Sequence, residues 1–224
     1  MKKKIWMIIK KNNKFLKATS KIYCFFMMNK IKKRNNQIIN SGAYLKKCNI
    51  DIKGSKNKLI FDQKVRLNNC IIRINGNGCN LHIGESSTIE NMVFHFEDND
   101  CMILIGKNNI FSGGELAVAE NKSKIEIGNS CLFSKNINIV TTDSHTIMDI
   151  NTKNRINFAQ NIKIGNKVWM GANVTLLKGS NIPNNTVIGR NATVTKAFYK
   201  ENCILAGIPA KIVKENIQWE AERR

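Results

Sequence analysis

The sequence has little of what marks several protein classes. Only 2 of its 224 residues are proline and 14 are glycine, which argues against a Pro/Gly-rich linker or a disordered chain. It has no apolar run of roughly 18 residues, so no membrane-spanning helix is expected. Its 7 cysteines include no C-x-x-C pair. Neither a zinc knuckle nor a disulfide framework is therefore indicated, and we expect a reducing cytoplasm.

Acidic residues are absent from the first 35 positions, which hold 12 Lys and Arg. The whole chain has 36 basic and 16 acidic residues, a net charge of +20. Such an excess indicates an anionic partner: nucleic acid, a membrane surface, a phosphorylated cofactor or an acidic glycan. Charge interrupts the apolar runs and no small-residue cleavage site follows, so we expect no signal peptide.

Residues 1–36 are typical of a basic amphipathic helical segment. One interpretation is a cap on the open end of a repeat structure, and the other is contact with the inner face of a membrane through residues 1–35. Nucleic acid binding is not expected, because the mixture of aromatic residues and lysines fits a membrane-surface helix better.

The C-terminal third repeats every six residues. Each unit begins with an aliphatic residue or methionine: Ile164, Met170, Leu176, Ile182, Ile188 and Val194. Position five is small or β-branched: Val168, Val174, Ser180, Thr186 and Ala192. Positions five and one are two apart, so they point to the same side of a strand. Three such units make one coil of a parallel β-helix, with Gly and Asn supplying the bends.

The N-terminal half repeats every 22 residues. The series includes Phe61, Ile83, Ile105 and Ile127, and Ile39 fits it. A polar stretch recurs in each coil, which we interpret as one widened corner. The next such corner falls on residues 141–161, the longest non-periodic insertion, and solenoids often place working loops on one face. We therefore predict an all-β solenoid over residues 37–210 and a C-terminal helix over 211–224.

These hexapeptide units resemble the left-handed β-helix acyltransferases over roughly residues 39–213. The resemblance rests on TDSHTI, VWMGANVTLLKGSNI and AGIPAKIV, and within the family it is strongest to capsular polysaccharide and sialic-acid O-acetyltransferases. It implies left-handed winding, a homotrimer, and acetyl-coenzyme A in a groove between adjacent subunits. No metal is expected, because the three histidines show no converging arrangement.

His145 is the candidate general base, since transfer of an acetyl group to a hydroxyl needs a proton acceptor near neutral pH. It lies in the long insertion, whereas His82 should point outward from a strand and His95 is expected at a widened corner with acidic neighbours. Asp143 is a candidate orienting partner for the imidazole, as are Asp149 and a backbone carbonyl. The simpler interpretations are a solvated loop histidine for His145 and a turn-forming aspartate for Asp143.

Trp169 takes an outward position, and the resemblance implies that it walls the groove at the acceptor or thioester end. A subunit-interface anchor is the alternative. The oxyanion donor is either its indole N–H or a backbone N–H near Gly171. The predicted cofactor-binding residues are Trp169, Gly171, Ala172, Lys178, Ala192, Lys196, Ala206, Gly207 and Lys211.

The sequence thus predicts an acetyl-coenzyme A-dependent O-acetyltransferase acting on a bacterial surface glycan of capsular, O-antigen or sialic-acid type. Transfer is expected to be direct, with no acyl-enzyme. A small-molecule acetyltransferase of the serine, maltose or antibiotic type is one alternative. A non-catalytic solenoid scaffold is the other, and it would be insensitive to loss of His145.

Overall fold

The chain winds into a parallel β-solenoid with one helix at its beginning. The computed structural model describes residues 13–222, with side chains from Leu16 onward. Within that range the helix α1 (Asn13–Phe26) precedes 24 short strands, numbered β1 to β24 along the chain. The strands form three sheets, and a full turn places one strand in each sheet.

The first sheet holds eight strands: β1 (Lys30–Lys32), β4 (Asn49–Ile52), β7 (Ile71–Ile74), β10 (Met92–Phe96), β13 (Gly114–Val118), β16 (Ile137–Val140), β19 (Thr175–Leu176) and β22 (Thr193–Val194). The second holds seven: β2 (Gln37–Asn40), β5 (Lys58–Phe61), β8 (Asn80–Ile83), β11 (Met102–Ile105), β14 (Lys124–Ile127), β17 (Ile162–Ile164) and β20 (Asn181–Ile182). The third holds nine: β3 (Tyr44–Lys46), β6 (Arg66–Asn68), β9 (Thr88–Glu90), β12 (Ile110–Phe111), β15 (Leu132–Phe133), β18 (Trp169–Met170), β21 (Val187–Ile188), β23 (Ile204–Gly207) and β24 (Ala210–Lys214).

The two predicted repeat lengths are both confirmed by strand register. Residues spaced 22 apart face one another on neighbouring strands of the second sheet: Phe61, Ile83, Ile105 and Ile127. Farther along, Ile164 pairs with Ile182, 18 residues later. The additional residues of the longer coils lie at the corner between the first and second sheets, such as residues 53–57 between β4 and β5.

The inward positions fill a continuous core. Positions one and five of the six-residue units are all buried, because alternate strand residues share a face. In the middle coils, the rings of Phe111 and Phe133 stack with centroids 4.2 Å apart. The bends use the left-handed region, as expected, and asparagine is frequent there: Asn69, Asn91 and Asn173 have φ values of 54°, 54° and 62°.

The first coil differs from the prediction in two ways. The solenoid already begins at Lys30, because β1 pairs in parallel with β4, so it starts inside the segment predicted to be helical. Ile39 is one residue out of phase, since Asn40 faces Phe61. The Asn40 side chain accepts hydrogen bonds from the N–H groups of Gly42 and Ala43, at 2.9 and 2.7 Å, which closes the next bend.

The C-terminal segment forms a strand where residues 211–224 were predicted to be helical. Strand β24 pairs antiparallel with β23, with Leu205 facing Ile212, and a cis Ile208–Pro209 peptide lies between them. Strand β23 would otherwise be the edge of its sheet, and pairing satisfies its free backbone groups. Residues 215–222 continue without helix, and Trp219 donates its indole N–H to the Lys167 carbonyl at 2.7 Å.

Candidate active site

The long insertion leaves the solenoid at the corner between the first and second sheets. It runs from residue 141 to residue 161, between β16 and β17. The N–H of Gln160 donates to the Thr141 carbonyl at 3.0 Å, which closes the base of the loop. Strand pairing continues beneath it, because β14 pairs directly with β17. The loop is therefore an excursion from an otherwise regular coil.

Asn157 is the buried centre of this loop, with only 5% of its surface exposed. Its side-chain amide donates to the Asp143 carboxylate at 3.0 Å and to the His145 carbonyl at 2.7 Å. Its oxygen accepts from the Ile147 N–H at 2.8 Å. One side chain thereby fixes the backbone on both sides of His145. This role could not be predicted from the sequence, because an asparagine in a polar loop is typical of a turn.

A second cluster ties the loop to the preceding coil. Arg155 donates to the Glu120 carboxylate at 2.5 Å, and the Thr142 hydroxyl donates to the same oxygen at 2.9 Å. Burial tends to raise the pKa of Glu120, but these two hydrogen bonds hold it below the ordinary value. The guanidinium also lies 4.9 Å from the Phe158 ring centroid. Glu120 is therefore an ionised anchor for both ends of the loop.

Asp143 and Lys178, predicted separately, form an ion pair. The Lys178 ammonium donates to the Asp143 carboxylate at 2.5 Å, and the lysine side chain is only 18% exposed. The hydrogen bond from Lys178, then that from Asn157, lower the pKa of Asp143. The carboxylate is thus engaged by these two groups and not by the imidazole. Its link to His145 runs through Asn157 and through a backbone bond from the His145 N–H to the Asp143 carbonyl at 2.8 Å.

The His145 side chain is exposed. Its ring makes no hydrogen bond with any residue in the range 16–222, so both nitrogens face solvent. Asp149, the other candidate partner, accepts backbone N–H bonds from Asn151 and Thr152 and forms a turn. His82 points outward from its strand as expected and pairs with Asp62 at 3.2 Å. His95 lies within β10 and not at a corner as predicted, and its acidic neighbour Glu97 is 2.9 Å away. His145 alone among the three histidines is unpaired in this part of the chain.

Trp169 lies on a different side of the solenoid. It begins β18 in the third sheet, which is opposite the corner that carries the loop. Its ring is 40% exposed and packs 5.9 Å from the Trp219 ring, a neighbour that sequence reasoning missed. Within one chain, the candidate base and the predicted groove wall are therefore not brought together.

The predicted cofactor-binding residues fall into two groups. Lys178 and Lys196 lie at the corner that carries the loop, with the Lys196 ammonium 5.6 Å from the Phe198 ring centroid. The others lie on or beside the third sheet, among them Trp169, Gly171, Ala172, Ala206, Gly207 and Lys211. The prediction that Ala192 lines the cofactor groove is not supported, because its side chain is fully buried in the core. It faces inward at position five of its six-residue unit.

An open groove of about 740 Å³ runs along the outer surface of the second sheet. Its floor includes His82, Leu104 and Glu126, and Tyr199 overhangs its end. None of the predicted site residues lines it. It opens toward the corner with the third sheet, where Gly84 and its equivalents follow the strands, and so faces away from the His145 loop.

Comparison with solved structures relates the whole solenoid to enzymes of known type. The chain superposes on the polysialic acid O-acetyltransferase OatWY with a TM-score of 0.83 and 35% sequence identity, over 88% of this chain and 93% of that one. The chain belongs to the left-handed β-helix, or hexapeptide-repeat, acetyltransferase family. The resemblance seen in the sequence is thereby confirmed, together with the fold class.

A second member of this hexapeptide-repeat family gives the same result. The polySia-specific acetyltransferase NeuO superposes with a TM-score of 0.78 and 29% identity, over 87% of this chain and 88% of that one. Among curated proteins, the polysialic acid O-acetyltransferase of Escherichia coli O1:K1 is 38% identical over 86 residues, which cover 38% of this chain and 28% of that protein. The match therefore spans less than a third of that relative's length. No family model matches the sequence.

Proposed function

We propose that this family member is an acetyl-coenzyme A-dependent O-acetyltransferase that modifies a hydroxyl of a bacterial surface glycan of the capsular, O-antigen or sialic-acid type. The observation that carries the proposal is the exposed imidazole of His145, held on a loop whose backbone is fixed on both sides by Asn157. The relatives described above act on polysialic acid by name, which supports a glycan acceptor.

His145 serves as general base in this proposal. Its imidazole takes the proton of the acceptor hydroxyl while the oxygen attacks the thioester carbonyl carbon, and the new C–O bond forms as the C–S bond breaks. The imidazolium then returns the proton to the departing thiolate. A positioned base of this kind contributes about 10²–10⁴-fold to the rate.

Asp143 and Lys178 act as positioning residues. The ion pair fixes the position of the Asp143 carboxylate, which accepts a hydrogen bond from Asn157. Asn157 in turn donates a hydrogen bond to the His145 carbonyl. The oxyanion is stabilised by the Trp169 indole N–H or by backbone N–H groups near Gly171.

A homotrimer completes the site in this proposal. Trp169 and its neighbours on the third sheet lie away from the His145 loop of the same chain, so a partner copy must supply them. The loop itself presents exposed apolar side chains suited to a contact between copies: Ile147, Met148, Ile150, Ile156 and Phe158. We further propose a cytoplasmic location, which the free state of all seven cysteines supports.

The decisive experiment measures thiol release from acetyl-coenzyme A by the purified protein. The acceptors compared are sialic acid polymers and capsular or O-antigen glycans on one side, and maltose, serine and chloramphenicol on the other. We expect release with an acidic glycan and a loss of about 10²–10⁴-fold in His145→Ala. His82→Ala is the matched control and should retain full activity.

Two results would overturn the proposal. Release with a small acceptor and none with any glycan would indicate the small-molecule enzyme. Unchanged behaviour of His145→Ala, with no rise in melting temperature on addition of acetyl-coenzyme A, would indicate the non-catalytic scaffold.

A further inference from the structure

The helix α1 covers the open end of the solenoid with one of its faces. Leu16 and Ser20 are buried on this face. One turn farther on, the Cys24 sulfur accepts a hydrogen bond from the Leu45 N–H at 3.3 Å. These positions are spaced at four, as expected for one side of a helix. Within the described residues, α1 therefore acts as the cap that was one of the two interpretations of this segment, whereas residues 1–12 of the predicted segment lie outside the described range. The cap uses only part of the helix surface.

The opposite face of α1 exposes large apolar side chains. Ile22, Phe25 and Phe26 have 61%, 83% and 69% of their surfaces exposed, and Met28, just after the helix, has 75%. The two phenyl rings contact each other edge to face, with centroids 5.3 Å apart. Burying side chains of this size away from water is favourable, so leaving them exposed forgoes that stabilisation. A contiguous patch of them indicates a surface that another body covers.

Cations lie along the same segment as this apolar patch. The exposed basic residues at the end of α1 and in the start of the first coil are Lys21, Lys30, Lys32, Lys33 and Arg34. None of them forms an ion pair with a residue in the range 16–222. The first acidic residue of the sequence is Asp51, which faces Lys32 on the neighbouring strand β4. One carboxylate against five cations leaves this segment with a net positive charge in addition to its exposed aromatic side chains.

The combination discriminates between anionic partners. An acidic glycan or a nucleic acid backbone would pair with the lysines but would leave Phe25, Phe26 and Met28 in water. An anionic bilayer satisfies both requirements, because lipid headgroups neutralise the cations while apolar side chains enter the headgroup and acyl boundary. Within the described residues no helix is both long and apolar enough to cross a bilayer.

We propose that the outer face of α1, with the start of the first coil, binds the surface of an anionic phospholipid bilayer. Phe25, Phe26 and Ile22 enter the interface, while Lys21 and the cations of residues 30–34 lie against the headgroups. The solenoid then stands with its first coil at the membrane. This inference rests on the exposed face of α1 alone and not on the transfer reaction.

The test is co-sedimentation of the full chain with phosphatidylcholine vesicles, with and without phosphatidylglycerol. We expect binding to the mixed vesicles only, and a loss of binding as salt rises from about 0.1 M to about 1 M, because the screening length falls from about 10 Å to about 3 Å. The double variant F25S/F26S should lower the partition coefficient at least about tenfold. Its melting temperature reports whether the fold is retained.

Tyr199→Ser is the matched control. Tyr199 is 82% exposed and lies in the last coil, at the far end of the solenoid, so its loss should leave vesicle binding unchanged. Equal binding by F25S/F26S and the parent would overturn the proposal, as would no binding to phosphatidylglycerol vesicles. Salt-sensitive binding to a soluble acidic glycan, insensitive to F25S/F26S and without vesicle binding, would assign the cations to a glycan instead.

Discussion

The Lys178 ammonium lies 2.5 Å from the Asp143 carboxylate, so a residue of one coil forms an ion pair with the long loop of the coil before it. The loop bearing His145 is thereby attached to the coil that follows it. Arg155 and Glu120 tie it to the coil below. Two ion pairs on opposite sides hold the candidate base over one edge of the solenoid.

Removing the lysine should change how acid affects the loop. Lys178 lowers the pKa of Asp143, so the stabilising pair is complete above the unfolded-state pKa and is lost as pH falls through the lower folded-state pKa. In Lys178→Met the pKa of Asp143 should rise toward its ordinary value, so that the carboxylate protonates at a higher pH than in the parent. Titration of the Asp143 carboxyl by NMR measures this directly. An unchanged midpoint would mean that the pair contributes nothing in solution.

Replacing Asn157 should damage turnover and stability together. Asn157→Ala leaves the Ile147 N–H and the His145 carbonyl without their partner, at a cost of about 1–3 kcal/mol for buried polar groups. We expect a lower melting temperature and a fall in kcat larger than the change in KM. Asn154→Ala, on the exposed part of the same loop, is the control and should alter neither. Full activity in Asn157→Ala would remove this residue from the positioning role.

Gly179 should tolerate only residues that accept a left-handed backbone. Its φ is +76°, and a Cβ there would lie 2.2 Å from the Gln160 side-chain oxygen. The glutamine can move, so the backbone conformation sets most of the penalty. Gly179→Ala should cost about 1–2 kcal/mol of unfolding free energy. Gly179→Asn should cost less, because asparagine visits this region more readily. Equal unfolding free energies for these two variants would contradict the argument.

Mixing two inactive variants should restore activity if the site lies between copies. His145→Ala and Trp169→Ala each remove one component. A mixed oligomer forms some sites with an intact histidine from one chain and an intact tryptophan from its neighbour. Random mixing should regenerate about a quarter of the parental sites. Thiol release by the co-expressed pair measures the recovery, and a mixture as inactive as its parts would show that the two residues do not share a site between neighbouring chains.

The solenoid could be predicted because its pattern of buried residues is periodic along the sequence. Inward residues such as Ile164 and Ile182 recur at the coil length, so register follows from counting. The insertion at 141–161 could be identified as the segment that interrupts the regular repeat spacing. The hydrogen bonds inside it could not be found in that way. Asn157 meets Asp143 at a separation of 14 residues, and no repeat relates the two.

The C-terminal strand was missed for a similar reason. Residues 211–214 carry no strong helix or strand pattern, and their state is decided by the free edge of β23. The sequence predicted two roles for Ala192, one in the core and one in the cofactor groove. Its complete burial supports only the role in the core. The predicted roles of His145 and Trp169 stay predictions until the variants are measured.

The direct pairing of β14 with β17 beneath the insertion has a further consequence. Ile127 meets Ile164 as though the 21 positions from 141 to 161 were not there. The strands on either side of the loop therefore pair with the rest of the solenoid without any contribution from the loop. A change of length or sequence within the loop would therefore leave the pairing of β14 with β17 intact.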